Sequence, residues 1–496
     1  MHIMLRPVPK GKVQSFEFPA RLSNVIQGMR KTKIIATLGP ATESPEVLGK
    51  LLDAGMNVAR LNMSHAQHSW VREVVKHLRA AATARGKMVG ILMDTQGPAI
   101  RTGELPVPLD LKPGEKFTLT VRGAKSEEVH SVDVNYDDFV NDIRVGDVVL
   151  IDNGQIRMKV LAKDKNKVEC EVLTPGKLGS RRHINLPGVK VSLPALTAKD
   201  RADLALGREL QVDFVALSFV REAKDIEELR QVVEGWPRKP FIVAKVEDQQ
   251  AVAHFEEIAN VADGIMVARG DLGIEVPFEE LPIIQRRMVK TCLRIGKPVI
   301  VATHMLESMI SSPMPTRAEV TDVSNAVFEQ ADAIMLSGET SVGRYPVSCI
   351  EVFDRIAARM ERSGGLKYHE EAELVNPRQK LAKSAVVMAN ELRADAMILL
   401  TTTGKMGRYI AWMRPRHSAV YALCPQEEFA KNLTLIWGLQ PYVIPFTPND
   451  PEKTIDTGLN FLRSKGLIQK GQTVVIVSSI ISGQTPADAI QMRVLD

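Results

Sequence analysis

Three observations predict an α/β chain built on a (β/α)8 TIM barrel, with an inserted small all-β lid domain and a C-terminal α/β domain. Short continuous apolar runs recur between amphipathic helical patterns from Lys33 to Arg362, as for parallel strands covered on both faces. Residues 103–188 interrupt that series and alternate polar with apolar residues between Gly, Asp and Asn turns. Beyond Gly364-Gly365 and an acidic run a second α/β series begins. The division implied is an N-terminal extension over 1–29, a barrel over 30–102 and 189–364, a lid over 103–188 and a C-terminal domain over 365–496.

In order, the run 33–38 precedes a helical pattern over 42–54, and the run 57–63 precedes one over 69–85. The run 88–94 lacks its helix because the lid is inserted there. The series resumes with a helix from Thr197, a strand over 213–218 and a helix over 225–234. Runs 241–244 and 264–268 follow, joined by one helix with Ala251, Val252, Phe255, Ile258 and Ala259 on a single face. A helix over 280–295, a strand over 299–303, a helix over 316–330, a strand over 333–337 and a helix over 347–362 complete eight units. The lid carries KPGEKFTLTV, RVGDVVLIDNG, QIRMKVLA and KVECEVL, and its place at the barrel mouth suits closure over a substrate. The last domain has a helix over 379–392 and runs 396–400, 419–423, 442–445 and 473–477.

Composition narrows the function. Among 496 residues 45% are hydrophobic and 25% charged, as in a soluble globular protein, and a net charge of +5 is small for this length. Arg181-Arg182 and Arg286-Arg287 lack interleaved aromatics, which argues against nucleic acid, and no run approaches a membrane span. Cys170, Cys292, Cys349 and Cys424 are scattered, without zinc or disulfide spacing, which fits a reducing cytoplasm. The N-terminus has no apolar core for a signal peptide and reads as a loose extension.

Buried strands should not end in charge, yet the fifth run continues into Lys245 and Glu247 and the sixth into Arg269 and Asp271. In barrels that end of the strand carries the active site, and residues two apart face the same side. Glu247 and Asp271 would offer hard oxygens to one Mg²⁺ (or Mn²⁺). Arg60, Asn62 and Ser64 stand at the end of the second run, Asp94, Thr95 and Arg101 at the end of the third, and Thr303 ends the seventh. Arginine clamps with a divalent ion suit phosphoryl transfer, and nothing resembles a Ser-His-Asp triad or a metalloprotease helix. In the last domain Thr401, Thr402, Thr403, Gly404 and Lys405 have the composition of a phosphate cradle, without P-loop spacing.

KTKIIATLGPA, NVARLNMSH, DTQGPAIRTG, IVAKVED, IMVARGDLGIE, ATHMLESM, PTRAEVTDV and DAIMLSGETSVGRYPV, in this order, resemble the blocks of pyruvate kinase over residues 30–493. That resemblance implies transfer of a phosphoryl group from phosphoenolpyruvate to ADP, giving pyruvate and ATP. It implies that Arg60 holds the transferring phosphate, that Lys245 neutralises developing charge, and that Glu247 and Asp271 bind Mg²⁺. Gly270 and Asp271 would cradle the substrate carboxylate, and Thr303 would take part in substrate binding and in the proton path. ADP or ATP would meet Asn62, Met63, Ser64, His65, Arg101 and, from the lid, Arg182 where lysine is usual. Asn62, Ser64, Asp94 and Thr95 match ligands for K⁺, although Ala99 stands where relatives carry glutamate or lysine. With no lysine at 99, Asp94 is expected to lack a built-in cation and K⁺ to supply it. His304 replaces a usual glutamine and Asp248 a common asparagine. A homotetramer is implied, with a phosphorylated effector held by residues 401–405 and 479–487. The alternative on the same residues is a metal-dependent lyase or aldolase acting on a pyruvate enolate, which needs neither lid nor nucleotide arginines.

Overall fold

The computed structural model describes residues 30–121, 130–482 and 485–496; the extension expected over 1–29 and the lid residues 122–129 lie outside them. Eight parallel strands close in sequence order: Lys33–Thr37, Val58–Asn62, Gly90–Asp94, Phe214–Leu217, Phe241–Val246, Gly264–Ala268, Val299–Ala302 and Ala333–Leu336. Lys33 pairs with Ala333 to shut the cylinder. Every one of these strands is buried or nearly so, because helices cover the outside and side chains fill the inside. Ser44 caps the helix Pro45–Ala54, and Thr197 and Thr316 each form a capping box on Ala198–Leu210 and Arg317–Phe328.

Two expectations are corrected inside the barrel. The single helix after the fifth strand is two, Gln249–Ala253 and Phe255–Val261, broken at His254. Arg269 and Asp271 do not extend the sixth strand but open a short helix, Arg269–Glu275. Arg269 then turns away from the mouth and grips Asp322 with two nitrogens, at 2.6 and 2.8 Å.

The lid is a six-stranded sheet with a separate two-stranded pair, around its own apolar core of Phe117, Phe139, Met158 and neighbours. It leaves and returns side by side, since Arg101 and His183 form a backbone bridge at its root. The C-terminal domain has five strands, Ala396–Leu400, Ala419–Cys424, Leu439–Val443, Thr473–Ser482 and Thr485–Val494. Four are parallel and the last is an antiparallel edge, not foreseen in the sequence, so that 479–482 and 485–487 are hairpin backbone. This domain seals the strands' N-terminal end: Leu435 joins the inner barrel core and Lys33 Nζ donates to the Leu439 carbonyl at 2.6 Å. The opposite end is left open for chemistry. Among the described residues no helix is long and apolar enough to cross a membrane.

Candidate active site

A 380 Å³ cavity lies at the open end, between barrel and lid, and collects side chains from five strand ends. Arg60, Asn62, Ser64, His65, Arg101, Arg182, Lys245, Glu247 and Asp271, all singled out in the sequence, line it. Met63 does not, because its side chain is fully buried in the core. Asp94 and Thr95 lie buried beneath the cavity, and Gly270 and Thr303, hydrogen-bonded to each other, are not part of its lining.

The floor is a charge network. Lys245 Nζ donates to Ser218 Oγ at 2.7 Å and reaches Asp94 Oδ1 at 3.1 Å and Glu247 Oε1 at 2.8 Å. Arg60 Nε meets Asp94 Oδ2 at 2.6 Å, and its Nη1 donates to Thr37 Oγ1 at 2.9 Å. Burial would lower the Lys245 ammonium, but Asp94 and Glu247 outweigh it and hold it above the usual lysine range. Burial would raise Asp94, but Lys245 and then Arg60 keep it below the usual carboxylate range. Asp94 therefore has two built-in cations, which overturns the expectation that the absence of lysine at 99 leaves it uncompensated.

Glu247 is the less satisfied partner. Burial raises its carboxyl to about 7 in spite of Lys245, and the charge of Asp271 adds to the rise. Its Oε2 accepts the Phe219 N–H at 2.6 Å. Two adjacent hard carboxylates, one of them short of positive charge, fit a divalent ion. Among the described residues no group of three or more His, Cys, Asp or Glu forms a cage. Water and substrate oxygens would have to complete the shell, which is the habit of Mg²⁺.

Thr303 is held in an unusual conformation, φ 68°, rare for a β-branched residue. Its Oγ1 accepts the Gly270 N–H and donates to the Ala302 carbonyl, both at 2.6 Å. The hydroxyl thus fixes the Gly270 turn rather than facing the cavity. Arg269 Nη2 supports the same turn through the Thr303 carbonyl at 2.7 Å.

Several lining residues were missed. Ser218, at the end of the fourth strand, links Lys245 to the Thr95 carbonyl, to which it donates at 2.7 Å. The strand-end rule that found Lys245 could have found it. His183, Asp152 and Asn153 come from the lid, where no such rule applies. Asp152 pairs with Arg182 at 3.3 Å, and His183 lies 5.9 Å from the Phe219 ring.

Fold and mouth together define a phosphotransferase built on a barrel, with a β-rich domain beside a cavity lined by arginine and lysine. The family model "Pyruvate kinase, barrel domain" matches residues 29–350, and "Pyruvate kinase, alpha/beta domain" matches 379–492. Over 456 residues the chain is 41% identical to pyruvate kinase isozyme G, chloroplastic, of Nicotiana tabacum, covering 91% of this chain and 80% of the relative. With pyruvate kinase of Geobacillus stearothermophilus the identity is 39% over 469 residues, covering 92% and 78%. A crystal structure of a pyruvate kinase from Cryptosporidium parvum superposes with a TM-score of 0.88 at 36% identity, covering 93% of this chain and 96% of that one. The chain belongs to the pyruvate kinase family. Its reaction is phosphoryl transfer from phosphoenolpyruvate to ADP, giving pyruvate and ATP.

Proposed function

We propose that Arg60, Lys245, Glu247 and Asp271 carry this reaction, and the observation behind the assignment is their convergence on one cavity. Asp94 and Thr37 occupy Arg60 Nε and Nη1, which leaves Nη2 as a donor for the phosphate that leaves phosphoenolpyruvate. Lys245 stays an ammonium and offers a compact charge where negative charge develops. Glu247 and Asp271 would hold Mg²⁺ (or Mn²⁺), which when bound supplies charge neutralisation between carboxylate and phosphate oxygens. With Glu247 engaged as a metal ligand, the Lys245 donor it now occupies would be free to turn to the substrate. Asn62, Ser64, His65, Arg101 and Arg182 form the nucleotide side, with Arg182 brought by the lid. A proton path through Thr303 requires its hydroxyl to leave the Ala302 carbonyl.

K⁺ belongs to the same proposal on a narrower footing. Asn62 and Ser64 line the cavity, and Ala99 beside them contributes no charge. The proposed effector site is supported by a 210 Å³ cavity walled by Thr401, Thr402, Thr403, Lys405 and Arg378. Ser478 Oγ there is buried without a hydrogen-bond partner, and a phosphate oxygen would supply one. Gly404, at φ 73°, starts the helix Lys405–Trp412 without a side-chain cap. Self-association, as a homotetramer, is supported by exposed apolar side chains on both large domains. A cytoplasmic location suits four buried free thiols, and relatives named chloroplastic or plastidial set the alternative that fractionation would decide.

Pyruvate formation from phosphoenolpyruvate, followed with and without ADP, tests the assignment in Lys245→Met. Turnover should fall at least a hundredfold, the scale on which one preorganised charge acts. The variant should also melt lower, because Asp94 and Glu247 lose a buried partner. Turnover within tenfold of the parent, at a temperature where circular dichroism shows a folded protein, would move the chemistry elsewhere.

A further inference from the structure

A second concave surface, of 810 Å³, lies at the sealed end of the barrel and has no part in the reaction above. One wall is formed by residues just before the first and eighth strands and by the end of the helix Pro346–Glu361; the other belongs to the C-terminal domain. Seven Lys or Arg side chains line it against two carboxylates, Glu361 and Asp395. Both carboxylates accept backbone N–H groups, Glu361 from Lys31 and Thr32, and Asp395 from Thr473. Arg362 and Arg393, one on each wall, are exposed and have no ion-pair partner among the described residues. Arg416 and Lys367 share one exposed carboxylate, Glu370, at 3.3 and 3.9 Å.

A run of surface charge is most often a solvated face of little consequence. Here the charges continue inward. Arg414 is 3% exposed, spends Nη1 on Asp332 at 3.1 Å and Nη2 on the Gln330 carbonyl, and its Nε is buried without a partner. Lys31 is pushed down to about 8, by burial and further by Arg414, although Glu361 opposes the fall. His369 is pushed down to about 4 by burial, then by Arg414, Arg416, Lys367 and Lys383. Basic side chains from two domains therefore line one cleft, where a multivalent anion would relieve repulsion and could take guanidinium forks from both walls.

We propose that this interdomain cleft binds a multiply charged anion of the phosphate or phosphate-ester class, and that the bound anion fastens the C-terminal domain to the sealed end of the barrel. The site is distinct from the Thr401–Lys405 cavity, with which it shares no lining residue.

Inorganic pyrophosphate is the probe, titrated into the full-length protein at constant ionic strength with calorimetry and thermal melting as readouts. Arg362→Ala combined with Arg393→Ala should weaken one saturable binding component at least tenfold and reduce the ligand-induced rise in Tm. Turnover without added anion should be unchanged. Thr403→Ala with Lys405→Ala should leave that component intact. Inorganic phosphate, AMP and glucose 6-phosphate in parallel distinguish a free phosphate from an ester. Binding identical in the parent and the arginine pair overturns the proposal, as does an effect matched by citrate at equal charge or by chloride at equal ionic strength.

Discussion

Asp94, fully buried between Arg60 and Lys245, sets the charge state of the mouth, and its neighbours decide what each substitution does there. Glu247→Gln removes one of two proposed metal ligands and one partner of Lys245. The metal concentration for half-maximal rate should rise at least tenfold, with Asp271→Asn behaving alike. An unchanged metal titration in both variants would place the ion elsewhere. Ala99→Lys adds an ammonium to the cavity wall, and the ratio of rates with and without KCl, in tetramethylammonium buffer, should fall towards one. Full activity of the parent without K⁺ would remove the monovalent ion from the mechanism. The sequence showed which residue types end each strand, since that follows from a local pattern. It could not show that Arg60 and Lys245, far apart in the chain, both close on Asp94. That pairing is a product of barrel closure, and missing it produced the mistaken charge argument for K⁺.

The elements that join lid, barrel and last domain were read less completely than the strands they join. Arg269–Glu275 has two glycines in seven residues and no apolar repeat, so nothing periodic announced a helix. The edge strand Thr485–Val494 carries Pro486, Asp488 and Arg493, a composition suited to an edge and hard to distinguish from a loop. The short helix has a testable link to the lid. Asn185 Nδ2, in the lid strand Ile184–Asn185, donates to Glu275 Oε1 at 3.0 Å. Burial pushes the Glu275 carboxyl up to about 7 from 4.5 against that hydrogen bond, and Asp248 and Asp271 add to the rise. The folded protein then keeps a proton that the unfolded chain has released. This contribution to stability is complete below about 4.5, lost as pH rises towards about 7, and level above it. Glu275→Gln should flatten that part of a Tm against pH profile, and an unaltered slope would show that Glu275 does not titrate there. In the last domain, Thr403→Ala with Lys405→Ala should abolish activation by the phosphorylated effector while leaving basal turnover intact. Activation by every sugar phosphate and by AMP left unaltered would exclude the loop.

At the scale of the molecule, one end of the barrel is open for catalysis and the other sealed by the C-terminal domain, so the proposed self-association would use the flanks. Periodicity told which helices are amphipathic but not which apolar residues remain uncovered, because a core position and an interface position have the same pattern. The structure shows which of them stay exposed. On the C-terminal domain Val387, Met388 and Leu392 lie with Met492, which is 51% exposed, around one shallow cavity. On the barrel Phe278, 85% exposed, and Ile283 flank the start of the helix Leu281–Ile295. Large apolar side chains left in water mark surfaces for contact. Two distinct surfaces, each meeting its own copy about a two-fold axis, generate a tetramer with dihedral symmetry, whereas one surface alone would stop at a dimer. Phe278→Glu with Ile283→Glu should therefore halve the mass measured by light scattering, and Val387→Glu with Met492→Glu should do the same. All four together should give a monomer. A parent that is monomeric at assay concentration would refute this assembly, as would one pair of substitutions alone giving monomers, since a single surface would then carry the whole association.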